Sequence, residues 1–430
     1  MYIFKYKPIL LFSFLTCSLY AQENQKTTVD TTKLSEVVIT GQFEPQSLKK
    51  SVFNVRVIKR EDIERRAANN LADVLNQYLN ITVRPSGTDG RSTVSMFGLD
   101  GQYFKILMDN VPIVSDSGLG SNIDLTQINL DDVERIEIIE GSMGVTHGAN
   151  AVTGILNIIT KKGSKKKYEV SATVQEETVG NEYGIFNKGR HIQAFKASYN
   201  INSNLYVSVG ANRNDFAGFF DDKRGKNYRV NDSLRGYSWL PKQQLITNAL
   251  VSYTKGTFRA FYKFDYFNEN VDYYSPIVIP IDNYPFDPTY YSRDIRYRTN
   301  RNFHLLNASG HLFSQLAFTV SASYQKQQRD QERFNYYILS SQEQQNKTIT
   351  YLSREVLYST GSVSNFFKDK RYDLQLGYEA VNEKGFASPA SGTFRDEEQL
   401  GGVNRTLENY DFYASAEIKC TDRFSLRPGY

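Results

Sequence analysis

The chain has 430 residues, with Lys+Arg 51 against Asp+Glu 47, Cys 2, Tyr 30 and Phe 27. No apolar run beyond the N-terminus approaches the ~20 residues of a spanning helix, which excludes a bundle of transmembrane helices. The formal net charge of +4 lacks the basic excess of most nucleic-acid binders, and an aromatic content of 13% excludes a disordered chain.

Residues 1–21 read as a secretory signal: Lys5 and Lys7, then an apolar stretch over 9–19, then Ala21 before Gln22. Cys17 lies in this leader and leaves Cys420 alone, so no disulfide framework and no cysteine metal site are expected. Residues 22–33 are polar. Residues 34–40 form a short β-branched patch closed by Gly41. Residues 51–163 read as an α/β domain. A strand is expected at 52–58, and a helix over 59–79 burying Ile63, Leu71, Val74, Leu75 and Tyr78. Short strands follow at 81–83, 93–96, 105–108, 135–140 and 155–160, with glycines between them. The basic run over 161–167 reads as a solvated linker.

After Lys167 the apolar period becomes two. Phe258, Ala260, Tyr262, Phe264 and Tyr266 alternate with polar neighbours that include Lys263 and Asp265; Tyr372, Leu374, Leu376 and Tyr378 do the same. About eleven strands are expected, at 168–179, 190–200, 203–214, 245–254, 257–268, 300–310, 315–328, 349–362, 371–381, 408–418 and 423–430. Strands of about ten residues with alternating short and long links predict a membrane β-barrel, apolar outside and polar inside, rather than a soluble sandwich. The sequence reaches Tyr430 inside a strand, so the expectation is an antiparallel barrel incomplete in this chain, with the α/β domain as a plug in its lumen.

Three segments carry a family resemblance. Leu130-Asp131-Asp132-Val133-Glu134-Arg135-Ile136-Glu137, with Gly141, His147-Gly148, Gly154 and Asn157-Ile158-Ile159-Thr160, is one. Val94-Ser95-Met96-Phe97-Gly98 with Ile106-Leu107-Met108-Asp109-Asn110-Val111-Pro112 is the second. Ser35-Glu36-Val37-Val38-Ile39-Thr40 is the third. Together they resemble the plug domain, and the barrel start, of TonB-dependent outer-membrane receptors. Met96, Glu140, Asn110 and His147 depart from that pattern; Asn110 replaces a usual Gly and still tolerates a left-handed turn.

The resemblance implies an outer-membrane location in a diderm bacterium and a division into signal peptide (1–21), periplasmic segment with the TonB box (22–50), plug (51–163) and first part of the barrel (164–430). It implies that Glu36, Val37, Val38, Ile39 and Thr40 add a strand to TonB, which is driven by its inner-membrane complex; the same run also reads as the first plug strand. It implies that Arg135, Glu137 and Glu140 hold the plug to the barrel wall, where an ordinary solvated strand face is equally compatible with the sequence.

Ligand candidates are the outward loops. Residues 84–91 and 114–122 belong to the plug, with Arg84 and Arg91. The long link over 272–301 carries Tyr273, Tyr274, Tyr290, Tyr291, Arg293 and Arg296. Rings stack on flat ligands and guanidinium groups attract anions, which suits a ferric siderophore; an interfacial aromatic girdle explains some of the same tyrosines. Haem is the alternative through His147, His191, His304 and His311. Cobalamin is another, through Asp221 and Asp222. Nucleophile elbow, phosphate loop and HExxH motifs are missing, so no enzyme, cofactor or protein-held metal is expected. The expected partners are TonB, a metal chelate and membrane lipid. A surface-binding barrel without transport and a non-functional truncated remnant are the readings of another class.

Overall fold

The computed structural model describes 54–430 and the strand pair at 37–38 and 46–47, apart from 79, 87–89, 144–146, 148–150, 179–181, 185, 222–231, 284–285, 314, 368–370, 389–401, 422–423, 427 and 430. Two very short strands come first, β1 (Val37–Val38) and β2 (Gln46–Ser47), paired antiparallel. The plug then runs β3 (Val55–Lys59), α1 (Arg60–Arg65), α2 (Leu71–Leu75), β4 (Ile81–Pro85), β5 (Ser92–Met96), β6 (Leu99–Asp100), β7 (Phe104–Met108), β8 (Val111–Pro112), β9 (Val114–Ser115), β10 (Gly118–Leu119), β11 (Val133–Glu140) and β12 (Gly154–Thr160).

Its main sheet has the order β3-β11-β12-β7-β8, with only the β12–β7 pair parallel. β4, β5 and β6 form a small antiparallel meander. Ile106, Ile136, Ile138, Leu156 and Ile158 are fully buried with Ile63, Leu71, Val74 and Leu75 of the helices. Each such side chain contributes roughly 1.5–3 kcal/mol of burial, the main force holding the domain together.

The single helix expected over 59–79 is two short ones. Ala67 takes a left-handed φ of 50°, and the Asn70 side chain accepts from the Asp73 N–H at 3.1 Å, starting α2 afresh. Ser/Asn-type caps compete with helix continuation, a local hydrogen bond that hydrophobic periodicity does not report.

The Asn110 expectation is met. Asp109 and Asn110 make the two-residue turn between β7 and β8, with φ of 49° and 69°. Asn110 also exchanges hydrogen bonds with Asn157: its N–H donates at 3.0 Å and its Oδ1 accepts at 2.7 Å. Asn110→Gly keeps the backbone and loses one side-chain bond, so urea unfolding of the full chain should show a loss of about 0.5–1.5 kcal/mol. Asn110→Val adds about 1–2 kcal/mol of left-handed strain to that. Equal midpoints for the two variants would contradict this account of the turn.

The second sheet contains β13 (Tyr168–Glu177), β14 (Arg190–Asn200), β15 (Leu205–Phe216), β16 (Lys242–Lys255), β17 (Phe258–Tyr273), β18 (Val278–Asn283), β19 (Phe286–Leu312), β20 (Leu316–Tyr337), β21 (Gln342–Ser364), β22 (Tyr372–Ala387), β23 (Val403–Thr421) and β24 (Phe424–Leu426). Successive strands pair antiparallel, except that β18 is a flap on β19 alone. β13 and β24 are its edges.

Each of the eleven expected strands has its counterpart. The difference is at the ends away from the short turns: β19 has 27 residues and β20 has 22. Much of the long link expected over 268–300 is therefore hairpin. Ile295 and Tyr297 still alternate there with Asp294, Arg296 and Arg298, a short period that the density of charged residues hides.

Side chains divide by face as expected. On β17, Phe261, Lys263, Phe267, Glu269 and Val271 are buried, whereas Phe258 and Tyr262 are exposed. On β20, Gln325, Gln327 and Arg329 are buried and Val320 and Tyr324 are exposed. The polar face looks inward. Plug residues touch strands from β13, where Gln175 donates to the Ala67 carbonyl, to β21, where Arg354 donates to the Asp116 carbonyl. A sheet that reaches one small domain from so many strands must curl around it. In the basic run Lys165, Lys166 and Lys167 are exposed as expected, whereas Lys162 is bonded to buried Asp109, and its ammonium lies 4.7 Å from the Phe261 ring centroid.

Candidate functional site

The plug–wall interface combines an apolar patch, in which Leu250, Phe261, Phe303 and Leu305 of the wall join the plug's buried cluster, with polar side chains at alternate strand positions. One zone lies near the short-turn ends of the strands. Asp131 and Asp132 precede β11, in the loop after a 3-10 turn at Leu125–Gln127. Asp132 Oδ2 is 2.9 Å from Lys263 Nζ of β17, and Lys263 also contacts Asp265 two positions along the same face. Asp131 accepts from Asn212 Nδ2 at 2.7 Å, and its carbonyl accepts from Lys196 Nζ at 3.3 Å. Lys263 is 1% exposed. A cavity of about 30 Å³ lies beside it, lined by Gln127, Asp132, Lys263, Asp265 and Arg301 among others, room for about one water.

A second zone lies further along the strands. Lys242 Nζ donates to the Gly90 carbonyl at 2.5 Å and stands 3.7 Å from Asp124 and 3.5 Å from Glu269. Gln127 Nε2 donates to Glu269 Oε1 at 2.9 Å, and Gln244 Nε2 to Glu269 Oε2 at 2.7 Å. Arg301 Nη2 donates to the Gln127 carbonyl at 3.1 Å. Burial pushes the Asp124 carboxyl up, but the Lys242 ammonium and hydrogen bonds from Ser92 and Thr126 outweigh it and hold it below the usual carboxylate range. Gly90 packs so tightly here that a Cβ would meet Val271 Cγ1 at 2.5 Å.

A third zone joins the β8–β10 region to β20 and β21. Gln325 reads backbone in both directions: its Oε1 accepts from the Val114 N–H at 2.8 Å and its Nε2 donates to the Pro112 carbonyl at 2.8 Å. Asp116 meets Arg91, Gln327 and Arg329.

Arg135, Glu137 and Glu140, expected to hold the plug, have partners within it. Arg135 Nε donates to Glu137 Oε1 at 2.8 Å, and Arg135 also pairs with Glu134 at 3.3 Å. Glu140 pairs with Arg56 at 3.5 Å and accepts from Asn54. These bonds stay inside the β3–β11 part of the plug. Side chains of the plug that meet the wall include Asp73, Asp116, Asp124, Gln127, Asp131 and Asp132. Asp131 and Asp132 stood in the same quoted run as Arg135; alternation of charge marks a polar face but not what packs on it.

Of the TonB-box residues, Val37 and Val38 form β1, opposite Ser47 and Gln46. Glu36, Ile39 and Thr40 lie outside the described residues.

The ligand candidates divide into two groups. Arg84 is exposed on β4, and Arg91 is committed to Asp116. Tyr273 packs on Leu240, Val271 and Tyr297 at the far end of β17. Tyr274 lies 6.3 Å from Tyr237 between ring centroids, and burial raises its phenol well above the ordinary value. Tyr290 lies opposite Pro280, Tyr291 stacks on Tyr337 at 5.9 Å, and Arg293 is opposite Asn335. Arg296 pairs with Asp272 (2.9 Å), Glu332 (3.4 Å) and Glu343 (3.2 Å).

Beside them is a buried pair that the sequence reading missed. Arg235 donates to both oxygens of Asp294, at 2.8 and 3.1 Å, and to the Ser275 carbonyl at 2.8 Å. Asp294 lay unmarked among other polar residues, with nothing in spacing to single it out. Of the haem candidates, His191 contacts Glu176, and His304 Nδ1 is 2.8 Å from the Tyr262 hydroxyl on the outward face. Asp221 takes a left-handed φ of 52°, and Asp222 lies outside the described residues.

Comparison with known proteins adds the following. The model of the TonB-dependent receptor plug domain matches residues 47–155. The vitamin B12 transporter BtuB of Vibrio vulnificus (strain CMCP6) is 31% identical over 163 residues, 38% of this chain and 26% of that protein. BtuB of Vibrio cholerae serotype O1 is 28% identical over 221 residues, 50% of this chain and 35% of that protein. Among solved structures, a variant ferric enterobactin receptor of Pseudomonas aeruginosa in complex with enterobactin aligns with a TM-score of 0.64 at 18% identity, over 87% of this chain and 57% of that one. The siderophore receptor PirA of Acinetobacter baumannii aligns with a TM-score of 0.66 at 17% identity, over 89% and 56%. At such identities the structural likeness is one of fold: a plug within an antiparallel barrel sheet. The chain spans less than two thirds of the length of each of these proteins.

Proposed function

We propose that this chain, which carries the plug domain of the TonB-dependent receptors, belongs to an outer-membrane transporter for a scarce metal chelate, most simply a ferric siderophore. The observation that carries the reading is the plug–wall interface. Beside an apolar patch, where Phe261, Phe303 and Leu305 of the wall share one buried cluster with plug residues, it is rich in hydrogen bonds and ion pairs, and such groups find water partners when the plug moves.

In this reading residues 1–21 export the chain, 51–163 close the lumen, and 164–430 belong to the wall. TonB pairs with the segment of Glu36, Val37, Val38, Ile39 and Thr40. β2 takes one edge of β1, so the partner strand takes the other. A pull on that segment reaches β3 first. β3 is an edge strand of five residues, bonded only to β11, and it yields before the inner strands. Glu140 then acts through the sheet, tying β11 to Arg56 of β3 and to Asn54, Arg135 and Glu137 pair along β11, and acids around them hold the wall.

The arginines and tyrosines at the far ends of the strands favour an anionic, ring-bearing chelate. A cobalamin ligand is the second reading, supported by the transporters named above. The test is growth of the parent organism and a deletion strain on one nutrient at a time. The expected result is loss of growth on ferric siderophore as sole iron source, with growth on haem and the cobalamin requirement unchanged. Equal growth of both strains on every iron source would sink the siderophore reading. A defect confined to vitamin B12 would replace it with the second.

A further inference from the structure

The tip of the β9–β10 hairpin carries one carboxylate into a group of arginines. Ser115 pairs with Gly118, so Asp116 and Ser117 form the turn. Ser115 Oγ donates to the Ser121 carbonyl at 2.7 Å and to the Gly118 carbonyl at 3.1 Å, which braces the hairpin from within. Ser117 is exposed and Asp116 is buried. The Asp116 carboxylate meets Arg91 of the plug and Gln327 of the wall, and lies 3.6 Å from Arg329 Nη1. Its carbonyl accepts from Arg354 Nε at 3.4 Å, and Arg354 also pairs with Glu383 at 2.5 Å.

Arg329 is 1% exposed, with its guanidinium 4.4 Å from the Tyr297 ring centroid. The side chains of Arg91 and Arg354 remain 23% and 26% exposed. Three guanidinium groups thus face two carboxylates. Two of the three are reachable and one is buried, and the wall arginines stand about midway along β20 and β21.

We propose that this cluster is an anion subsite occupied at rest by the protein's own Asp116. An anionic chelate arriving there takes Arg91 and Arg354, and the hairpin tip leaves the wall as it binds. The proposal rests on the reading above that the cargo is an anionic metal chelate. A guanidinium accepts an incoming oxyanion in the same forked geometry as a carboxylate, so the two compete for the same donors. Gln325 holds the backbone at Pro112 and Val114, which confines the movement to the tip. Linkage requires that whatever factor Asp116 subtracts from ligand affinity, saturating ligand subtracts from the tip's hold on the wall. Binding at this cluster would therefore be reported inside the plug through one ion pair.

The test uses the full-length receptor in detergent, Cys420→Ser and Ser117→Cys, with a spin label at the new cysteine and an iron(III) tris-catecholate trianion as probe. The label is expected to be immobile without the probe and to gain mobility on titration. Asp116→Asn should free the label without probe and bind the trianion about tenfold more tightly, the equivalent of one charge-assisted bond. Arg91→Gln should weaken binding by a similar factor. An immobile label at saturation, or an Asp116→Asn variant with normal thermal unfolding and unchanged affinity, would overturn the proposal. If Asp116→Asn does not fold, Gln327→Leu removes one hold on the carboxylate without changing charge. It should tighten binding, and no change overturns the proposal. Because the readout is binding and not growth, label release without a growth defect sinks only the transport reading. A growth defect on ferric siderophore without label release sinks only the subsite.

Discussion

Lys263→Met is expected to unseat the plug. The substitution keeps the length of the side chain and removes its charge. It leaves Asp132 of the plug and Asp265 of the wall facing one another without the ammonium that both contact. Breaking a buried ion pair from one side costs about 3–5 kcal/mol, because the remaining buried charge loses its partner. Arg301 lines the same small cavity and keeps some positive potential there, so the lower half of that range is expected. The measurement is urea-dependent protease cleavage of the plug in intact membranes, where the midpoint should fall well below that of the unaltered protein. Adding Asp132→Asn to Lys263→Met should recover a large part of the loss, since it removes one of the two opposed charges. A Lys263→Met midpoint within about 0.5 kcal/mol of normal, the range of ordinary surface substitutions, would show that the cluster does not hold the plug.

Val38→Pro is expected to abolish uptake while leaving ligand binding at the cell surface intact. Strand addition uses main-chain groups, and proline removes an N–H while fixing φ. Val38 is opposite Gln46 in the short β1–β2 pair, so its backbone is extended in the resting protein. The substitution lies before β3 and outside the plug core, so folding should be unaffected. Radiolabelled chelate would be counted on energised cells, first bound in the cold and then internalised on warming. Internalisation at the normal rate would remove this segment from the energy-coupling role. Loss of cold binding as well would mean that the variant is misassembled, and deletion of residues 36–40 would then take its place with the same expected split.

The organisation of the chain was legible because the wall imposes a strict period. Phe258, Ala260, Tyr262, Phe264 and Tyr266 had to face out if the alternation meant a barrel, and their neighbours Lys263 and Asp265 had to face in. The turn at Asn110 was legible for a different reason: few residue types tolerate a positive φ, and asparagine is one of them. The break between α1 and α2 was missed because it depends on a cap at Asn70 and a left-handed Ala67, which leave the hydrophobic spacing unchanged. The long hairpin ends of β17, β19 and β20 were missed because their apolar residues, such as Val271, Tyr297 and Phe334, are few among many charges. The period there is too short and too crowded by polar neighbours to stand out.

The candidate site was less legible than the fold. The arginines and tyrosines of the 272–301 region were visible, yet Arg296 proved to be held by Asp272, Glu332 and Glu343, and Arg91 by Asp116. Arg135 and Glu137 bond to each other, while the acids just before them, Asp131 and Asp132, reach the wall.

By itself the sequence determined the two architectures, plug and barrel sheet, the succession of strands along the chain, and which face of the clearly alternating wall strands is polar. Those are properties of local period and turn chemistry. Only the tertiary structure decided the partners: Asp132 with Lys263, Asp116 with Arg91 and Arg329, and Arg235 with Asp294. The physical reason is degeneracy. Many wall strands offer acids, bases and amides on the inward face, and any of them satisfies the pattern. The choice among them is made by where the plug's loops come to rest inside the curled sheet.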